Sequence, residues 1–167
     1  MDDKSNYPRA PQVSFGKAVA IGLGAGAIGA LSMVASSKVE QLLLTNRPNS
    51  YVPATTSSRL LGVSSGASSR HPDALNHFHH FSMALLTAPV RAVMSYYGVI
   101  GPIASLMFLP LRIAVDQVFE IGAGASALPW TWPINEQWVD VVHKAVFAFG
   151  VGYLTDLWVR GVNWFNV

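Results

Sequence analysis

The chain has 167 residues, 51% of them hydrophobic and only 12% charged, with 11 Lys and Arg against 9 Asp and Glu and no cysteine. An average soluble domain carries about 25% charged residues, so this chain has too little charge to cover a water-facing surface, and its length suits one domain in a membrane. The composition excludes disulfides and thiolate metal sites, and the lack of a basic run or stripe excludes a nucleic-acid partner.

Residues 1–16 (MDDKSNYPRAPQVSFG) are polar, contain two prolines and have no apolar period, which predicts a disordered tail. The segment 17–164 is then one transmembrane helical domain. Between Lys17 and Lys38 lie 20 uncharged residues, AVAIGLGAGAIGALSMVASS. At 1.5 Å per residue such a helix is about 30 Å long, the thickness of a bilayer core. This is the first predicted span, about 18–40, with a continuation toward Leu44. Gly22, Gly26 and Gly29 give it a small-residue face on which a second helix backbone can lie, within the bundle or in another copy of the chain. The same glycines imitate a dinucleotide-binding fingerprint, but no strand precedes them and they sit in a hydrophobic helix.

Residues 45–75 are rich in Ser, Thr and Pro, which predicts an extramembrane loop with at most a short turn of helix over Ser57–Val63 and a flexible Ser/Gly tract over Ser64–Ser69. A second span is predicted over about 76–97, with His77, His79 and His80 at its entrance and Pro89 as a kink. Gly98, Gly101 and Pro102 mark a tight hairpin into a third span over about 103–122. The fourth span, about 136–158, follows a Pro/Trp-rich connection. Trp138 and Trp158 are 20 residues apart, so they fall about 30 Å apart along a helix, where interfacial aromatic belts belong. Trp130 and Trp132 belong at the level of Trp138. The predicted fold is an all-α, four-span bundle with both termini on one side. The lysines and arginines divide evenly between the two sides and leave the orientation open.

The spans are not uniformly apolar. They contain Arg91, Arg112, Asp116, Glu120, Asp140, Lys144 and Asp156, with His143 among them. An ionisable residue at a span centre costs about 2.5–3.5 kcal/mol on insertion scales, so near-equal numbers of each sign predict mutual pairing inside the bundle. Arg112 with Asp116, Asp140 with Lys144 and Asp156 with Arg160 stand at i, i+4. Arg91 has no such neighbour and is expected to reach Asp116, Glu120 or Asp140 on another helix.

These charges support a structural or interaction role, fixing helix register. They also suit a small transporter or a proton or cation pathway, because Glu120 lacks an opposite charge at i±3 or i±4 and Glu136 and Asp140 can face it. A membrane metalloprotein is the third class. Asp140 and His143 have the i, i+3 spacing of carboxylate-bridged metal sites in bundles, and His77 with His80 adds two ligands at helical spacing, but two acidic-x-x-His motifs are needed and only one is present. No nucleophile elbow and no cofactor fingerprint occurs.

SKVEQLLLTNRPNSYVPA after a Gly-rich span, SYYGVIGPIAS between spans and ALPWTWPINEQWVDVVHKAVFAFGVGYLTD near the end resemble a family of uncharacterised fungal membrane proteins. The resemblance covers most of 17–160. More distantly, the first span and the LPW…E…H pattern are similar to YagU-like bacterial inner-membrane proteins. The resemblance implies several spans in a lipid bilayer, and it carries no catalytic residue over to this chain.

Overall fold

A computed structural model describes residues 10–63 and 70–166. Among these residues the chain is all helical, with five α-helices and no strand: α1 (Phe15–Glu40), α2 (Val52–Leu60), α3 (Pro72–Tyr96), α4 (Gly101–Gly122) and α5 (Ile134–Arg160). The tract 64–69 and most of the predicted tail lie outside the described residues.

Local chemistry sets the helix ends. Ser14 caps α1, its Oγ accepting from Lys17 N at 3.4 Å. The helix starts two residues before the predicted tail ends, and Gln12 N donates to Val159 O at 2.7 Å, so the end of that tail lies against α5. At its other end α1 widens into a π-turn, Gln41–Thr45, and stops at Asn46 in the left-handed conformation (φ 53°). Gly161 (φ 67°) ends α5, with Gly161 N on Leu157 O and Val162 N on Asp156 O.

α1 lies in the groove between α3 and α5. A Cβ on Gly22 would stand 2.7 Å from Pro89 Cα, and one on Gly26 2.8 Å from Ala88 Cβ and 2.9 Å from Ala84 O. One on Gly29 would meet Phe147 and Val151 of α5. Glycine is therefore required at the seam, and the face that could serve self-association is occupied by α3 and α5 of the same chain. The core is built from small residues, Ala25, Ala30, Ala84, Ala88 and Ala148, around Met33, Phe108, Phe147 and Val151. α4 leans chiefly on α5.

The predicted loop 45–75 contains a full helix, α2, which starts five residues before the short turn expected over Ser57–Val63 and ends within it. α2 packs against α3 and buries Thr56, Ser57 and Ser58, while Leu60 and Leu61 are exposed. Buried hydroxyls are tolerated because they bond the helix's own carbonyls, Thr56 Oγ1 to Val52 O at 2.9 Å and Ser58 Oγ to Thr55 O at 2.9 Å. Arg59 ties α2 to the end of α4 by donating to Ala123 O at 3.0 Å and to Gly124 O.

Two helices are long and apolar enough to cross a membrane, α1 with its π-turn (Phe15–Thr45) and α4. α3 and α5, predicted as the second and fourth spans, do not reach that apolarity. α3 opens with Asp73, Asn76, His77, His79 and His80, and α5 carries Glu136, Asp140, Lys144, Asp156 and Arg160.

Candidate functional site

Two groups of buried charge lie at opposite ends of the bundle. The first joins α3, α4 and α5 near the chain termini. Arg91 and Asp156 are both 0% exposed. Arg91 Nη1 donates to Asp156 Oδ1 at 3.0 Å and Nη2 to Oδ2 at 2.9 Å, a two-pronged pair. Asp156 also accepts from Gly101 N at 2.7 Å, Trp164 Nε1 at 2.8 Å and Ser95 Oγ. Arg91 Nε reaches Ser105 Oγ at 3.4 Å. Every charged atom has a partner, and Gly152 leaves the space that Ser105 Oγ and Arg91 occupy. This overturns the expectation that Arg91 would meet Asp116, Glu120 or Asp140. The expected Asp156–Arg160 pairing gives way as well: Arg160 donates to Ser95 O and to Tyr96 O, the carbonyls that end α3.

The second group lines a cleft of about 940 Å³ at the other end. Its walls are the end of α1, the start of α3, the end of α4 and the start of α5. Asp116, Glu120, Asp140 and Lys144 border it. Lys144 Nζ is 2.6 Å from both oxygens of Asp140 and 3.4 Å from Asp116 Oδ2. Arg112 pairs with Asp116 one turn away and lies over the Phe147 ring, 5.1 Å from its centroid. Glu120 is 7% exposed and lines the cleft. Its carboxylate makes no hydrogen bond or ion pair among the described residues. Asn76 Oδ1 and His80 Nδ1 are likewise buried without a hydrogen-bond partner in residues that line the same space.

A third set of contacts closes the rim and was not legible beforehand. Ser36 Oγ is 2.8 Å from His143 Nδ1, and His143 Nε2 is 3.4 Å from Glu40 Oε2. Arg47 grips the same carboxylate, with Nε 2.9 Å and Nη2 2.9 Å from Oε2. Lys38 Nζ donates to Asn49 Oδ1 at 2.7 Å. The available signal was the Ser36/Glu40 spacing of one turn and the Asn46-Arg47-Pro48 stop, which folds Arg47 back along α1.

Of the residues predicted to form a charge network, Arg112, Asp116, Glu120, Asp140, His143 and Lys144 come together at the cleft, and Arg91 is at the other end of the molecule. The metal candidates His77, His80, Asp140 and His143 all border the cleft, but among the described residues no group of three or more His, Asp or Glu side chains is placed to hold a metal ion. Trp130, Trp138 and Trp158 are exposed at 74%, 64% and 40%. Trp132, expected beside the first two, instead lines the cleft, with its Nε1 on Ala127 O at 3.0 Å.

Comparison with protein-family models, with curated proteins and with solved structures finds no match to the chain. What the cleft does has to follow from its own chemistry.

Proposed function

We propose that the protein is a multi-pass integral membrane protein in which α1, α3, α4 and α5 cross the bilayer, and that its cleft receives a small polar solute from one side of the membrane. The distribution of polarity supports the membrane assignment. Arg91, Arg112, Asp156 and Lys144 are inside, whereas Leu31 and Leu42–Leu44 of α1, Leu86 of α3, Ile103 and Met107 of α4 and Val142 of α5 are more than half exposed. A soluble monomer rarely exposes so continuous an apolar surface. At 25 and 27 residues, α3 and α5 are about 37–40 Å long, enough to span a core of about 30 Å. Arg91 of α3 and His143, Lys144, Asp156 and Arg160 of α5 are buried, where such groups are tolerated in a membrane, while Asp73, His77 and Glu136 are exposed toward the starts of the two helices.

The observation that carries the functional reading is the cleft itself. It reaches from the α1 rim to Asp116 and Lys144, while Arg91 and Asp156 close the far end. A polar solute that enters meets charged groups halfway through an otherwise apolar body. This favours a solute-binding or transport role over a purely structural one, with the structural role left to the Arg91–Asp156 end. The proposed surroundings are lipid rather than nucleic acid.

The chain has no cysteine, so single-cysteine variants can be read without background. In sealed vesicles, Ser37→Cys at the cleft should react with a membrane-impermeant maleimide from one side only. Leu106→Cys, on the outer face of α4, should react only with a lipid-soluble reagent. Equal labelling of Leu106→Cys by the impermeant reagent would remove the membrane assignment, and an unreactive Ser37→Cys would remove the cleft as a solute port.

A further inference from the structure

The geometry points to the class of solute: we infer that the floor of the cleft binds one monovalent cation, an alkali ion or a primary ammonium group, against Glu120. This rests on the cleft being a solute port, as proposed above.

The first argument is an inventory of charge. Arg112 and Lys144 stand against Asp116 and Asp140, each in contact with an opposite partner. These four cancel. Glu120 is the fifth member, one helical turn beyond Asp116, and it has no partner of its own among the described residues. The buried set is one positive charge short.

The second argument is the set of atoms that face the gap. Glu120 is 7% exposed and borders the cleft. From α3, Asn76 Oδ1 and His80 Nδ1 border the same cleft without a partner. A carboxylate, an amide oxygen and an imidazole nitrogen are acceptors, and they suit a ligand that is cationic or rich in N–H donors. Lys144 is held by Asp140 and Asp116, and Arg47 by Glu40.

An anion would have to compete with Asp116 and Asp140 for Arg112 and Lys144, each already paired with a carboxylate. A divalent metal would want several carboxylates and a near-complete oxygen shell, and no group of three His, Asp or Glu is available among the described residues. One unmatched carboxylate fits one unit of positive charge.

The test is a thermal-unfolding titration of the detergent-solubilised full chain with sodium, potassium and methylammonium chloride, each against N-methyl-D-glucamine chloride at the same concentration. At least one of the three should raise the unfolding temperature saturably, and the three arms separate alkali ion from ammonium. Glu120→Gln keeps the shape and removes the charge, and should weaken that response by about tenfold or more. Glu136→Gln, at the exposed mouth, should retain it. No saturable response in the wild-type chain, or an undiminished one in Glu120→Gln, overturns the inference.

Should Glu120→Gln not be recovered folded, the wild-type chain still decides. The effective cation should slow modification of Glu120 by dicyclohexylcarbodiimide, read by peptide mass, and no slowing overturns the inference. The two proposals fail separately. One-sided labelling of Ser37→Cys with no cation response leaves the port and removes the cation, whereas an unreactive Ser37→Cys removes the port.

Discussion

The two ends of the bundle use the same residue types to opposite effect. At the Arg91–Asp156 end, one guanidinium and one carboxylate meet in a two-pronged pair, and serine hydroxyls, a backbone N–H and an indole N–H take up the remaining positions. At the cleft end five charges share three ion pairs, and the odd carboxylate borders open space. Both sets are buried, so burial alone does not separate them. Saturation does. A saturated pair has nothing left to offer a ligand and serves to hold three helices in register, whereas an unsaturated one has unused capacity directed at a cavity.

That contrast can be broken most forcefully at Asp156. Asp156→Ala leaves Arg91 buried without a counter-charge and strips three further contacts. The expected loss is about 3–5 kcal/mol, enough to abolish recovery of monodisperse protein in size-exclusion chromatography. Next in size is Gly152→Ala, which places a methyl group against Ser105 Oγ and within 3.2 Å of Arg91 Nε. The pair must shift to admit it, at about 1–3 kcal/mol, measured as a lower thermal midpoint in detergent.

At the cleft end the sign should reverse. Glu120→Gln removes a buried charge that has no partner, so in buffer free of small cations it should leave stability unchanged or raise it by up to about 1 kcal/mol. A loss comparable to that of Asp156→Ala would show that Glu120 is paired after all and erase the distinction between the ends. The smallest effect calibrates the scale. Gly24 lies on α1 between Gly22 and Gly26, and nothing stands within 4 Å of a Cβ there. Gly24→Ala should therefore stabilise by no more than about 1 kcal/mol through helix propensity alone, whereas Gly22→Ala and Gly26→Ala should destabilise.

The helices and the inventory of charges were legible in the sequence because both are local properties. Twenty uncharged residues, and Gly98, Gly101 and Pro102 at a hairpin, announce themselves over short windows. The i, i+4 pairs of Arg112 with Asp116 and of Asp140 with Lys144 are equally local, and the structure has both. Arg91 shows where such reasoning ends. Its partner is 65 residues away, and Asp156 had a decoy four residues on in Arg160. The glycine face could be seen, but the helix that covers it could not, since closeness of approach is encoded and the identity of the partner is not. α2 was legible only as a short turn near its end, because Thr and Ser read as loop until their hydroxyls are seen to bond the backbone beneath them.

The seam between α1 and α3 has a mechanical consequence. Where Gly22 lies against Pro89 and Gly26 against Ala84 and Ala88, there is no long side chain to flex and no slack to take up. Sliding by even half a turn would drive a methyl group into backbone, so these two helices behave as one stiff plank. α4 touches α3 only sparingly and rests chiefly on α5. Any breathing that widens the cleft therefore falls to α4, swinging like a door on the jamb of α5 while the glycine-bound half of the molecule stays still.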